Sequence, residues 1–294
     1  TLDGSRALRF LVQQEGLLPS EVTGVTYITD AVHDVPIVCL STDPYGLYSD
    51  AEGILVDGGK GSSEFPYKGA NFWQDWEREI SFEYYTPDGK REISCNAGTK
   101  VHGQYSRAYE QKSLAVYFRS EYGTSEISYP FFDENNPVTD FSSILLRASG
   151  QDHTKARIRD AFVAETAEEY SDLLHMDWRP ICVYINGEYK GIYDLREKVS
   201  ASHVENHEGI KEENLDLIKD NDNIKHGSRE DFTALLHYIE DHDMSEQENY
   251  DYVAEHMDID NYIDYLITEI FFANEDGGSN NKHYRDNTGG KWRW

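Results

Sequence analysis

"ICVYINGEYKGIYDLRE", residues 181–197, decides how this chain is read. β-Branched and aromatic residues run into Asn186-Gly187 and resume after it. Asn-Gly accepts the left-handed backbone of a two-residue turn, so the stretch predicts a β-hairpin. Upstream the text is mostly strand-like. "REISFEYYTPDGKREISCNAG" (78–98) alternates apolar and polar residues around a Pro-Asp-Gly turn and predicts a second hairpin. "SLAVYFR" (113–119) and "DVPIVCLSTD" (34–43) read as strands, the latter with Pro36 near its start, where a missing N–H costs least. Residues 5–30 read as two short strands around "EGLLPSE", and residues 57–70 as a Gly/Ser-rich loop. One helix is expected before the hairpin, over 155–174, with Ile158, Ala161, Phe162, Tyr170 and Leu173 on one side. Downstream the character changes. Residues 228–243 and 258–275 read as helices, capped by Ser228 or Asp231 and by Asp258 or Asp260.

Composition narrows the function. Apolar residues make up 38% of 294, enough for a sizeable core. The 55 acids against 27 Lys and Arg give a net charge of −28, which sets aside nucleic acid and anionic membrane as partners. No apolar run approaches the ~20 residues that span a bilayer, so no membrane insertion is expected. Cys39, Cys95 and Cys182 stand far apart in strand-like surroundings and read as buried hydrophobes. "KDNDNIKHG" (219–227) has alternating Asp220 and Asp222, but lacks the Gly and the downstream Glu of a calcium loop; it reads as a solvated loop. His237 reads as a helix-surface residue. With so many acids, a glycosidase pair is unconstrained by sequence.

Two segments carry phosphate chemistry. "GTKVHGQYSRAYEQKSLAVYF" (98–118) sets Gly103, Ser106 and Arg107 ahead of Lys112 at the start of a strand. Glycine lets backbone N–H groups approach a phosphate, Arg grips its oxygens in pairs, and Lys serves as a point charge. A hairpin turn with a solvated Lys is the plainer alternative. "FFANEDGGSNNKHYRDN" (271–287) sets Asn281 five positions after Asp276. That interval suits an Asp that takes a hydroxyl proton and an Asn that holds a magnesium ion, as on a protein-kinase catalytic loop. Taken alone, an ordinary polar turn explains it as well.

In combination these pieces resemble one family. "GTKVHGQYSRAYEQKSLAVYFRSEYG", "LLRASGQDHTKARIRDAFV", "VYINGEYKGIYDLREK", "DIDNYIDYLITEIFFANEDGGSNNKHYRD" and "GKWRW" occur in the order found in the spore-coat CotH family, atypical kinases distantly similar to protein kinases, here of the secreted bacterial type. The resemblance spans roughly residues 35–294. It implies an α+β, two-lobed, protein-kinase-like fold: a β-rich N-terminal lobe with one helix over 34–200, and the start of a helical C-terminal lobe over 201–294. Residues 1–33 would be the tail of a preceding small β-sandwich, or a linker.

Carried over residue by residue, the resemblance makes Asp276 the catalytic Asp and Asn281 the metal ligand. Lys112 becomes the nucleotide-phosphate Lys and Arg107 the basic residue of the loop before it, with Gly103 and Ser106. Glu197 would line the nucleotide cleft. Helix spacing, not the resemblance, selects Glu165, seven residues from Ile158 and so beside the buried stripe, as the acidic partner of Lys112; a surface Glu on a solvated face is the plainer alternative. The implied cofactors are ATP, lying between the Gly103–Lys112 segment and the Asp276–Asn281 loop, and magnesium. The implied activity is transfer of the γ-phosphoryl of ATP to Ser or Thr of a protein outside the cell, on the cell or spore surface. The family places its principal metal-binding Asp a few residues after "GKWRW", and this sequence runs only to Trp294, so little magnesium-dependent transfer is expected of it as it stands. The alternative is a non-catalytic pseudokinase or surface scaffold that binds a protein or polysaccharide.

Overall fold

The computed structural model describes residues 3–29, 31–132 and 138–294. They form two compact units, Thr1–Arg159 with Asp177–Lys198, and Asp160–Met176 with Val199–Trp294. Residues 1, 2 and 30 of the expected N-terminal tail lie outside the described residues. Helices and sheets are mixed along the chain, as the sequence predicts.

The first unit is built from strands β1 (Arg6–Phe10), β2 (Thr23–Tyr27) and β3 (Ile37–Ser41), a short helix α1 (Pro44–Tyr48), and then β4 (Arg78–Tyr85), β5 (Arg91–Val101), β6 (Leu114–Tyr117), β7 (Ile127–Ser128), β8 (Asp140–Phe141), β9 (Ser143–Arg147), β10 (Trp178–Ile185) and β11 (Glu188–Arg196). Seven of these strands close into a barrel in the order β10-β11-β9-β6-β5-β4-β3, a closure the sequence reading does not contain. Antiparallel hairpins supply most of the wall, and parallel pairing of β3 with β10 shuts it. Strand side chains alternate between the two faces. Val38, Leu40, Ile80, Phe82, Leu114, Val116, Ile144, Leu146, Ile181 and Val183 therefore fill the interior, while Ile37, Cys39, Cys182 and Tyr184 form a smaller apolar cluster of their own. The 181–197 hairpin forms as read, with Asn186 at φ 52° and Gly187 at φ 81°. β1 and β2 pair with each other, and a Cβ at Gly24 would lie 2.4 Å from Ser41 Oγ, so only glycine lets β2 approach β3 this closely.

The second unit holds α2 (Arg159–Tyr170), which straddles its start, then α3 (Ala201–Glu208), β12 (Leu215–Lys219), β13 (Asn223–His226), α4 (Glu230–Asp241), α5 (Gln247–His256), α6 (Ile259–Phe271) and β14 (Lys282–Asp286). β13, β12 and β14 make a three-stranded antiparallel sheet. One face packs Leu215, Leu217 and Tyr284 with Val204, and the other packs Ile218 with Phe232, Leu235, Val253 and Trp292. A hairpin runs from β14 to the last residues: Tyr284 and Arg293 exchange two backbone hydrogen bonds of 2.9 Å.

Three sequence readings are corrected. The helix expected over 155–174 is confined to Arg159–Tyr170, because Arg157 sits at φ 66°, outside helical backbone. Its buried stripe is Ala161, Ala164 and Ala167, whereas Ile158, Phe162 and Tyr170 are more than half exposed. Alanine at helical spacing allows close backbone approach but contributes little to an apolar periodicity. Residues 219–227 follow a strand and are mostly exposed, as read, but they are not all loop: they turn into a further strand, β13, with Asp220 in the left-handed region at φ 55°. Neither Ser228 nor Asp231 is the N-cap of α4, although Ser228 Oγ accepts from Glu230 N at 3.1 Å. Asp258 does cap α6.

Candidate functional site

In the first unit, Lys112 precedes β6 by one residue pair and keeps the inward parity of Leu114 and Val116. That parity carries an ammonium group to the end of an apolar barrel. Lys112 is only 8% exposed; its Nζ donates to Tyr109 O at 2.7 Å and lies 4.4 Å from the centre of the Phe72 ring. Within this unit, and among the described residues, no carboxylate forms an ion pair with it. Burial pushes its pKa down to about 8, against a small opposing pull from Glu110. A cation desolvated in this way gains from an incoming anion. The neighbouring backbone is pinned. His102 N donates to Ser113 O, Ala148 N donates to Ser113 Oγ, and Gln111 Nε2 donates to the carbonyls of Lys190 and Ile192.

Gly103, Ser106 and Arg107 form the turn ahead of Lys112. Gly103 sits at φ 107°, and a Cβ there would meet Ser106 Oγ at 2.3 Å, so the tight turn needs glycine. Arg107 is drawn inward. Its Nε donates to Gly103 O at 2.6 Å and its Nη1 to Phe72 O at 3.2 Å, beside the Trp73 ring. Burial holds its pKa below the usual value. Those bonds occupy the fork expected to grip a phosphate, so Arg107 shapes the loop and contributes charge rather than a preformed clamp. Glu197, just past β11, is 2% exposed, and its Oε2 accepts from Asp177 N at 2.9 Å.

In the second unit, α6 runs into the loop that carries Asp276 and Asn281. Asp276 is exposed; its backbone N donates to Asn274 Oδ1, and its carbonyl accepts from Ser279 N at 2.8 Å. Tyr265 OH donates to Gly277 O at 2.5 Å, tying the loop to the helix. Asn281 is tied more firmly. Its Nδ2 donates to Tyr265 OH at 3.4 Å and its carbonyl accepts from Asp220 N at 3.0 Å. Its Oδ1 is buried and accepts no hydrogen bond among the described residues, and Asp220 Oδ1 shares that condition. Buried acceptors without donors are what an oxygen-seeking cation requires, so Asn281 fits a magnesium ligand. Glu165 lies on the exposed side of α2, not beside its buried stripe.

The sequence reading misses two residues here. Asp220 is weighed there only as part of a calcium loop and set aside, because the turn that brings it to Asn281 pairs strands about 60 residues apart in sequence. His283 is not singled out at all. It is 1% exposed, packs 4.1 Å from the Phe232 ring and near Trp292 and Trp294, and neither ring nitrogen has a hydrogen bond. Burial pushes its pKa down to about 4. The alternation in "KHYRD" hints at its buried side, since Tyr284 and His283 face opposite ways.

A desolvated lysine that lacks a carboxylate of its own, and a carboxylate–amide loop with an orphaned acceptor, are the equipment of anion-handling proteins. The family model described as CotH kinase protein matches residues 99–294, two thirds of the chain, and the chain belongs to that family. No curated protein matches it. No helix among the described residues is long and apolar enough to cross a membrane.

Proposed function

We propose that this chain carries the elements of an ATP-dependent protein kinase with the two-lobed architecture of protein kinases, acting on Ser or Thr of proteins at the cell or spore surface. The observation that supports it most is Lys112, a buried ammonium group for which its own unit supplies a carbonyl and an aromatic ring but no carboxylate. An anionic ligand is the natural complement of such a group.

Roles follow from chemistry. Lys112 holds the nucleotide phosphates, and Gly103 and Ser106 keep the backbone close while Arg107 adds positive potential. Glu197 lines the nucleotide site. Asn281 Oδ1 would hold magnesium, which when bound neutralises phosphate charge. Asp276 orients the acceptor hydroxyl and takes its proton; its exposure leaves it reachable by a protein substrate.

The test is nucleotide binding together with transfer of labelled γ-phosphate to a generic Ser/Thr protein, using the full protein. Lys112→Met should weaken ATP binding by about tenfold or more without lowering Tm, because it removes a buried charge that lacks an ion pair in its unit. Asp276→Ala should abolish transfer and leave binding largely intact. Unchanged affinity in Lys112→Met would remove the nucleotide assignment. Tight ATP binding by the parent with no transfer would favour the pseudokinase.

A further inference from the structure

The hairpin that decides the fold also assembles a cluster that phosphoryl transfer does not use. Cys182 and Tyr184 lie two apart on β10 and share the face opposite the barrel interior. The register pairs Tyr184 with Tyr189 of β11, which brings a third side chain alongside. His33, on the segment leading into β3, completes the group because β3 pairs with β10. His33 Nδ1 is 3.2 Å from Cys182 Sγ, and its Nε2 is 2.9 Å from Tyr184 OH. The imidazole stacks on Tyr189 at 5.5 Å, and Tyr189 OH is 3.7 Å from the sulfur.

We infer that Cys182 is a base-assisted thiol, oxidised by hydrogen peroxide to a sulfenic acid with His33 as the proton carrier. With Nε2–H donating to Tyr184 OH, Nδ1 presents its lone pair to the thiol and takes its proton. The thiolate attacks one peroxide oxygen. An S–O bond forms and the O–O bond breaks; the departing hydroxide takes the proton from His33 and leaves as water. Sulfur loses two electrons and peroxide gains them. The step needs no other reactant.

Neither of the other thiols is equipped for this. Cys39 is 1% exposed, and burial and Glu83 push its pKa far up. Cys95 is only half-buried, which corrects the reading of all three as buried, but burial still pushes its pKa to about 11, and among the described residues no base is hydrogen-bonded to it. Burial pushes the Cys182 thiol up as well, and the hydrogen bond with Tyr189 offsets only part of that; what sets Cys182 apart is the imidazole nitrogen placed against its sulfur. Cys182 is itself buried, 3% exposed, but its two polar neighbours are not: His33 is half-buried and Tyr189 is 46% exposed.

The experiment treats the native full protein with hydrogen peroxide in the presence of dimedone and maps the adducts by peptide mass spectrometry. The expected result is that Cys182 labels faster than Cys95, although Cys95 is the more exposed. His33→Gln, which keeps polar atoms but removes the base, should slow Cys182 by roughly tenfold. Tyr184→Phe supplies a second variant should His33→Gln fail to fold, with slowing in the same sense. Labelling of Cys95 first, no labelling of Cys182, or a Cys182 rate indifferent to both changes would each overturn the inference.

Discussion

Lys112 ties structure to function at the scale of one residue. Burial lowers its pKa to about 8, so at neutral pH the charge is kept at a cost. A bound phosphate reverses this preference and raises the pKa again. Below pH 8 the free protein already carries the proton, so binding takes up almost none. Between pH 8 and about 10 the free lysine is largely neutral, and binding must bring the proton in. Calorimetry of ATP binding in buffers of different ionisation enthalpy should show close to one proton taken up near pH 9 and almost none near pH 6.5. Affinity should fall as pH rises above 8. Persistence of the uptake in Lys112→Met would assign the proton to another group and remove Lys112 from the site. The residue types at 112, 276 and 281 were legible because Gly-rich spacing before a Lys, and Asp followed by Asn at five, are local patterns. Their environments were not. The inward turn of Arg107 depends on the carbonyl of Phe72, 35 residues away, and the orphaned Oδ1 of Asn281 depends on a strand pairing that no local pattern records.

At the scale of elements, β14 repeats the lesson with a measurable consequence. His283 lies opposite Ile218 in the register, so the sheet presses its imidazole onto Phe232 and the tryptophans of the terminal hairpin. Its folded pKa, about 4, lies below the ordinary 6.5. The unfolded chain therefore binds the proton first as pH falls. Stability is complete above about 6.5, declines between 6.5 and 4, and Asp220, the acidic group acting on the ring, offsets only part of the loss. A shift of this size corresponds to about 3 kcal/mol. His283→Phe should keep the ring packing, remove two nitrogens that lack partners, and flatten the denaturation midpoint across that range relative to the parent. Parallel acid profiles for the two proteins would mean that His283 is solvated or paired in solution. Elements with strong local punctuation were readable: Asn186-Gly187 for the hairpin and Asp258 for α6. α2 was misread because bulky Phe162 and Tyr170 dominate its periodicity while three alanines are the ones buried. α5 gave too little apolar signal; Val253 is its single buried residue.

At the scale of the whole molecule, charge is the property that sequence fixes most completely and folding alters least. With 55 acids to 27 Lys and Arg, about half the carboxylates have no base to pair with, and the folded chain repels itself. Opposing this are local pairs, among them Arg293 with Glu208 and Arg285 with the buried Asp216. Salt weakens both effects, and the balance decides the sign. Exposed pairs contribute about 0–1 kcal/mol each. The buried ones are screened little, whereas repulsion among spread surface charges acts over distances that salt shortens from about 30 Å at 0.01 M to about 8 Å at 0.15 M. Added salt should therefore remove more repulsion than attraction, and Tm at pH 7.5 should rise between those two concentrations. The rise should shrink near pH 4.5, close to the sequence pI of about 4.6, where protonated carboxylates and histidines together cancel the excess charge. The same field opposes the approach of a nucleotide, so ATP association should also quicken with modest salt, while Lys112 and Arg107 act only at short range. Scanning calorimetry across a salt series at both pH values checks the first expectation. A Tm that falls with salt at pH 7.5 would show that ion pairs such as Arg293–Glu208, rather than the net charge of −28, govern the electrostatics of the fold.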